Sequence, residues 1–320
     1  MADDEELLHC LPATATLADA ASLVGQVLCP RILLLDAQGK AVGQLSEEDI
    51  RLALCTDGRP HHPLEGRMRP LDDSLPLGAD GRPMPLPATG PGKVVREALL
   101  MAGGRGTRLS PLTDDCPKPL LPIGGVPLLH RLLRQVAEAG IERAHISLHY
   151  LPDKVRESVG SLTIPGLEIA FVEETQPLGT AGALGLLPRL DSAVLVMNGD
   201  ILSSLHLQAL FAWHARHGNG VTVATHLHEV HVPFGLAHFR DQHLDRLEEK
   251  PTLRLPVNAG VYVFEPGLLA AIPEDQPWDM VDWLNRLSAE GKVGHFPIVE
   301  AWHDIGSLEA YQRLVDRSAP

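Results

Sequence analysis

Three glycines, Gly103, Gly104 and Gly106, follow an apolar run at residues 98–101, and two cations, Arg108 and Lys118, stand shortly after them. Without side chains in the way, backbone N–H groups there can approach an anion closely, which is the chemistry of a phosphate cradle. Two fixed positive charges beside such a loop can neutralise charge developing on a triphosphate. Lys118 lies between Pro117 and Pro119, whose rings restrict the backbone on either side of it. No Gly-Lys-Ser/Thr closes the loop, so it is not a Walker A site. Leu109 occupies the place where the dinucleotide-binding pattern needs its third glycine.

Carboxylates recur at other places. Asn198, Gly199 and Asp200 follow the apolar run at 193–197, which sets Asp200 at the carboxyl end of a strand, where parallel sheets bind ligands. The same residue types also make an ordinary turn. Read by itself, Asp304 is the cap of a helix over 307–315. Glu249 and Lys250, read by themselves, make a solvated charge cluster. His226, His228 and His231 stand at spacings of two and three, but no cysteine or carboxylate lies at standard ligand spacing, so a strand end with a surface turn accounts for them.

The hydrophobic pattern supplies elements to position these groups. Strand patterns at 98–101, 143–149, 167–173 and 193–197 alternate with helical patterns at 127–139, 181–187 and 205–217, the signature of a parallel sheet covered on both faces. After Gly220 the pattern is richer in strands (221–226, 235–239, 260–264), which predicts a mixed extension of the sheet. Near the N-terminus the order is helix (16–27), strand (31–36), turn, strand (41–45), and a helix opened by Ser46 with acidic residues after it. Proline and glycine crowd the stretch between these parts. The expected organisation is an α+β module at 1–65, a linker at 66–93 and an α/β domain at 94–320.

Over 320 residues, 27 basic side chains face 41 acidic ones, a net charge of −14. Phosphate backbones and anionic lipids repel such a chain, which argues against nucleic acid or membrane as the main partner. No apolar run approaches the roughly 20 residues that span a bilayer. The acidic start is unlike a secretory signal, so the expected setting is the cytoplasm. Cys10, Cys29, Cys55 and Cys116 stand far apart and are expected to be reduced, small apolar residues.

The stretch from Gly103 to Ile123 resembles the signature GGxGTRLxPLTxxxPKPLLPI of the sugar-phosphate nucleotidyltransferases, the nucleotide-sugar pyrophosphorylases. The resemblance runs from residue 94 to the C-terminus and implies a Rossmann-like nucleotidyltransferase domain with a mixed, mainly parallel sheet. It implies catalytic roles for Arg108, Lys118 and Asp200, and Mg²⁺ held by Asp200 and Asp304. Nucleotide contacts are implied at Ala102, Gly103, Gly104, Gly106 and Thr107, and in a second loop at Glu174, Pro177, Gly179 and Thr180. Sugar-phosphate contacts are implied at Gly199, Glu249, Lys250, Asn258 and Gly260, with Lys250 for the phosphate and Glu249 and Asn258 for hydroxyls. The reaction implied is attack of a sugar-1-phosphate oxygen, hexose or hexosamine, on the α-phosphorus of a nucleoside triphosphate. Two other functions share these features: a non-catalytic subunit that binds nucleotide-sugar, and transfer to a non-sugar phosphate such as phosphocholine.

GTP is the favoured nucleotide, because a carboxylate from Glu173 or Glu174 can accept two hydrogen bonds from the N1–H and N2–H₂ edge of guanine. The alternative is that both glutamates face solvent. At the N-terminus, residues 16–21, 31–36 and 43–51 resemble a CBS module, with Ser46 and Asp49 at the positions that contact ribose in adenosine-nucleotide-binding members. Such modules work in pairs and no second unit follows. The resemblance therefore implies either an interface that helps form a homo-oligomer or a nucleotide-sensing half-site completed by a second chain.

Overall fold

Thr16 and Ser46 each open a helix by the same device. The Asp19 N–H donates to Thr16 Oγ1 (3.3 Å) while Asp19 accepts from the Thr16 N–H (2.8 Å), and Asp49 and Ser46 repeat the exchange at 3.1 and 3.0 Å. These are capping boxes with aspartate in place of glutamate. They start α1 (Leu17–Val24) and α2 (Glu47–Asp57), which pack on a three-stranded sheet of β1 (His9–Pro12), β2 (Arg31–Leu35) and β3 (Ala41–Ser46) in the order β1-β2-β3. The computed structural model describes residues 9–26, 31–57, 61–71, 95–274 and 276–317. The first strand has no counterpart in the sequence expectations, its four residues being too few for a periodic signal. Leu64 is fully buried in this module's core, and Arg69 and Gln44 exchange backbone hydrogen bonds. The module's packing thus continues past residue 65, to the contact of Leu71 with Leu33 and Ala41.

The main domain begins with β4 (Glu97–Met101), and a small hairpin, β5 (Pro122–Ile123) and β6 (Val126–Pro127), leads into α3 (Leu128–Glu138). Then come β7 (Arg143–Leu148), α4 (Pro152–Gly160), β8 (Glu168–Glu173), β9 (Val194–Asn198), β10 (Ile201–Ser203) and α5 (Leu207–His217). The strand-rich part holds β11 (Val221–His231), β12 (Leu236–Arg240), β13 (His243–Glu248) and β14 (Thr252–Phe264). It closes with α6 (Pro266–Leu269), α7 (Met280–Ala289), β15 (Val293–Ile298), β16 (Trp302–Asp304) and α8 (Leu308–Arg317). The helix expected over 181–187 is a short 3₁₀ helix, Gly182–Leu186. Two glycines in so brief a segment weaken an α-helix.

Seven strands form the central sheet in the order β15-β11-β14-β9-β4-β7-β8. The pairs β4–β7, β4–β9, β7–β8 and β11–β15 are parallel, while β14 runs antiparallel to both neighbours. The mixed, mainly parallel α/β sheet is therefore present. β4 is buried on both faces, as a central parallel strand must be: Ala98 and Leu100 enter one core cluster with α3 and α5, and Leu99 enters the other with α7. The edge at β15 is covered by α2 of the N-terminal module. No helix among the described residues is long and apolar enough to cross a membrane.

Candidate active site

The glycine loop leaves the carboxyl end of β4, and its shape depends on close packing against Lys118. Gly106 has φ +62°, and a Cβ there would stand 3.0 Å from the Lys118 Cβ and 3.2 Å from the Thr113 Cγ2. A glycine is therefore required both by the left-handed backbone and by the space. Thr113 Oγ1 donates to the Gly106 carbonyl (2.9 Å), and Tyr150 Oη donates to the Asp114 and Thr113 carbonyls at 2.7 and 3.2 Å. The Arg105 guanidinium lies over the Tyr150 ring, 5.3 Å from its centre. Ala102 is buried and its N–H reaches Ser147 Oγ at 3.2 Å, whereas Gly104, Thr107 and Arg108 are exposed along the loop. Thr113, the threonine of the quoted signature, and Tyr150, which lies outside it, were not among the expected site residues, because both act by hydrogen bonds to backbone carbonyls of the loop.

Lys118 is nearly buried and its Nζ forms an ion pair with Asp200 Oδ2. Asp200 is set there by a tight junction: the Gly199 N–H donates to the Met101 carbonyl (2.8 Å), and a Cβ on Gly199 would stand 2.4 Å from that oxygen. Only glycine lets β9 finish so close to the end of β4. Asp304 arrives from the other end of the chain by way of β16, which pairs antiparallel with β10 so that Asp304 stands opposite Ile201. The Ile305 N–H donates to the Asp200 carbonyl at 3.0 Å. Burial, and then the Asp200 charge, push the Asp304 carboxyl above its ordinary value, against the opposing pull of Lys118 and Arg108. Arg108, Lys118, Asp200 and Asp304 thus form one electrostatic group.

Two carboxylates beside an open cavity suit a hard divalent cation that takes its other ligands from phosphate and water. No group of three or more His, Cys, Asp or Glu among the described residues is placed to hold a metal ion, which is the pattern a zinc site would need. The donor set fits Mg²⁺. A cavity of about 1100 Å³ opens beside Asp304, lined also by Arg108, His226, His228, Asn258, Trp302, His303 and Arg313, with others. Asn258 is locked by its own neighbours, donating to Tyr262 Oη (2.7 Å) and accepting from the Gly260 N–H (3.0 Å). His228 and His231 are exposed as expected, and His226 is half-buried in the cavity wall. Its ring stacks on Trp302 with centres 4.9 Å apart, and burial, then His228 and His303, lower its pKa.

The second loop divides the two glutamates. Glu173 turns outward to an ion pair with Arg156 at 2.9 Å. Glu174 turns inward: its Oε2 accepts from the Leu178 N–H (3.2 Å), and its Oε1 stands 3.0 Å from where a Gly103 Cβ would be. Pro177 and Gly179 are exposed beside it. The Thr180 hydroxyl is engaged at the start of α7, donating to Asp279 Oδ2 (3.1 Å) and accepting from the Met280 N–H (2.8 Å). Glu249 and Lys250 do not line the cavity. They follow β13, all six of whose positions are exposed, on a hairpin with β12 that stands outside the central sheet. Glu249 Oε2 instead lies beside Gly235.

The sequence profile described as "Nucleotidyl transferase" matches residues 97–318. A mannose-1-phosphate guanylyltransferase of Mycobacterium tuberculosis is 35% identical over 230 residues, which is 68% of this chain and 63% of that protein. A mannose-1-phosphate guanyltransferase of Emericella nidulans is 31% identical over 221 residues, 66% of this chain and 60% of its own. The chain therefore spans less than two thirds of the length of these relatives. The crystal structure of HddC from Yersinia pseudotuberculosis superimposes with a TM-score of 0.57 at 25% identity, covering 70% of this chain and all of that one. Because the profile match runs from the first strand of the main domain into its last helix and takes in the glycine loop, both cations and both carboxylates, the chain belongs to the nucleotidyl transferase family.

Proposed function

We propose that this chain is a sugar-1-phosphate guanylyltransferase, joining GTP to a hexose or hexosamine 1-phosphate with release of pyrophosphate. The convergence of Arg108, Lys118, Asp200 and Asp304 beside the glycine loop carries the proposal. An oxygen of the acceptor phosphate forms a bond to the α-phosphorus, the bond from that phosphorus to the bridging oxygen breaks, and the electron pair leaves with pyrophosphate. No covalent intermediate is needed, so the work of the chain is positioning and charge neutralisation. Amides of residues 103–106 hold the outer phosphates, and Arg108 faces them from the exposed side of the loop. Lys118, held by Asp200 in the free chain, finds a second anion in the incoming triphosphate. Mg²⁺ held by Asp200 and Asp304 would supply further neutralisation of the phosphate oxygens.

Glu174 supports the choice of base, since it faces Gly103 while Glu173 is spent on Arg156. A carboxylate there meets two guanine donors but only one on uracil, and an unmatched buried acceptor costs about 1 to 3 kcal/mol. The names of the two curated relatives point the same way, and to mannose-1-phosphate as the first acceptor to try. Retention of both cations and both carboxylates counts against a non-catalytic subunit, which would not need them. The N-terminal module, through residue 71, is assigned as CBS-like on its β-α-β-β-α order. Asp49 already accepts from Ser46 and pairs with Arg69, which favours an interface or homo-oligomer role over a nucleotide site. The cytoplasm, where nucleoside triphosphates are made, is the setting that this reaction requires. The proposal is tested by pyrophosphate release from a panel of triphosphates against a panel of sugar-1-phosphates and phosphocholine, with and without Mg²⁺. Release from GTP that needs no sugar phosphate, or that phosphocholine supports best, would overturn it.

A further inference from the structure

Arg51 is the largest fully buried side chain among the described residues, and it belongs to the N-terminal module. Within the module it meets Glu47, through Nε (2.7 Å) and Nη2 (2.6 Å), and its other partners lie in the main domain. Nη1 and Nη2 grip the two oxygens of Glu300 at 2.9 and 2.7 Å, Nη1 also donates to the Pro297 carbonyl (2.8 Å), and the guanidinium lies 4.3 Å from the centre of the Phe296 ring. Glu300 is itself buried and accepts one more bond, from the Val299 N–H at 3.0 Å. A two-oxygen grip by a planar fork fixes orientation as well as distance.

The residue gripped is not arbitrary. Glu300 lies between β15 and β16, and the chain runs straight from it to Asp304. Along that run the Ala301 carbonyl accepts from the Ser204 N–H (3.0 Å), Trp302 Nε1 donates to the Ala259 carbonyl (3.0 Å), and the Ile305 N–H meets the Asp200 carbonyl. The segment is held on its inner side by β10 and β14, and at its outer end by the module's arginine.

We infer that Arg51 is a positioning residue for the active site: by fixing Glu300 it sets the register of β16 and hence the place of Asp304, so that the N-terminal module is a working part of the metal-binding half of the site. This rests on the assignment of Asp304 as a metal carboxylate. Outer partners that orient a metal-ligating carboxylate typically change metal affinity by about 10 to 100-fold when removed. A residue serving only to glue two domains together would leave affinity unchanged as long as the chain is folded.

The test uses the full chain and Mn²⁺ alone, titrated by electron paramagnetic resonance, with backbone hydrogen exchange as a second readout. Arg51→Lys keeps the buried charge and the fold but loses the fork, and Arg51→Met/Glu47→Gln/Glu300→Met removes all three charges so that none is left unpaired. Both should bind Mn²⁺ about tenfold more weakly, and the Ser204 and Ile305 amides should exchange faster while those of β7 and β8 keep wild-type rates. Asp304→Asn should bind more weakly still. Wild-type Mn²⁺ affinity in the two Arg51 variants, with weak binding by Asp304→Asn, would overturn the positioning role alone. Faster exchange spread evenly over the whole sheet would also overturn it, since that reports general loss of stability. Wild-type affinity in Asp304→Asn would remove the underlying assignment, and the inference with it.

Discussion

Lys118 Nζ and Asp200 Oδ2 are ion-paired beneath the glycine loop, with the lysine nearly buried and the aspartate on a junction that admits only glycine before it. On the proposed reading, the pair holds a cation and an anion ready where a triphosphate and its counter-ion would meet.

Removing the cation should be severe. Lys118→Ala and Arg108→Ala are each expected to lower kcat by about a hundredfold or more, the scale of losing one preorganised charge-stabilising group. Steady-state pyrophosphate release decides it, and near-normal turnover by Lys118→Ala would remove that residue from the mechanism.

The paired carboxylates should separate binding of the ion from the fold. Asp200→Asn and Asp304→Asn are expected to raise the Mg²⁺ concentration for half-maximal rate by about tenfold or more, while the thermal midpoint stays close to wild type for Asp304→Asn and falls for Asp200→Asn, which leaves the nearly buried Lys118 without its carboxylate. Because the Asp200 charge helps hold the Asp304 carboxyl up, Asp200→Asn should also let Asp304 ionise at lower pH. Carboxyl-region spectroscopy on labelled protein measures that shift; no downward movement would contradict the coupling.

The two glutamates should behave differently. Glu174→Gln is expected to reduce the preference for GTP over UTP in kcat/KM by about tenfold to a hundredfold. Glu173→Gln should leave it unchanged, since it breaks only an exposed pair with Arg156 worth about 1 kcal/mol or less. Equal effects at the two positions would mean that the inward turn of Glu174 does not serve the base.

Tyr150→Phe tests the support of the glycine loop. It removes the hydroxyl that donates to the Asp114 and Thr113 carbonyls. A bond of this kind contributes about 1 kcal/mol, so KM for GTP should rise about fivefold. A KM equal to that of wild type would show that Thr113 holds the loop by itself.

Stability at low pH should depend on Glu300. Burial raises its pKa, but hydrogen bonds and charge from Arg51 outweigh that and leave it below the usual carboxylate value. A depressed pKa contributes stability that is present above the unfolded value, about 4.3, and is lost as pH falls through the folded value. Glu47 acts with the opposite sign, since burial raises its pKa. Thermal melts between pH 3 and 6 should show the wild-type midpoint falling with acid. Glu300→Gln should begin lower, since Arg51 then has only Glu47 to balance its charge, and fall less steeply. Parallel curves would rule Glu300 out as the acid-sensitive group.

Much of the domain was legible in residue order because it is local. The apolar runs at 98–101, 143–149 and 193–197 can only be buried strands between helices, and the glycines with Arg108 and Lys118 declare a phosphate loop through the absence of side chains and the sign of charge. What periodicity cannot carry is which distant segments meet. Asp200 and Asp304 become neighbours only through a three-residue ladder between β10 and β16, too short to leave a pattern. Glu173 and Glu174 are adjacent and chemically alike, and the pleat of β8 with the turn after it sends them to opposite surroundings. Glu249 and Lys250 have suitable chemistry, yet the β12–β13 hairpin carries them outside the cavity. Arg51 reads as one more charge on a helix. Only the docking of α2 against β15 makes it the buried partner of Glu300, because burial of a charge is decided by the packing of whole elements and not by the residues on either side.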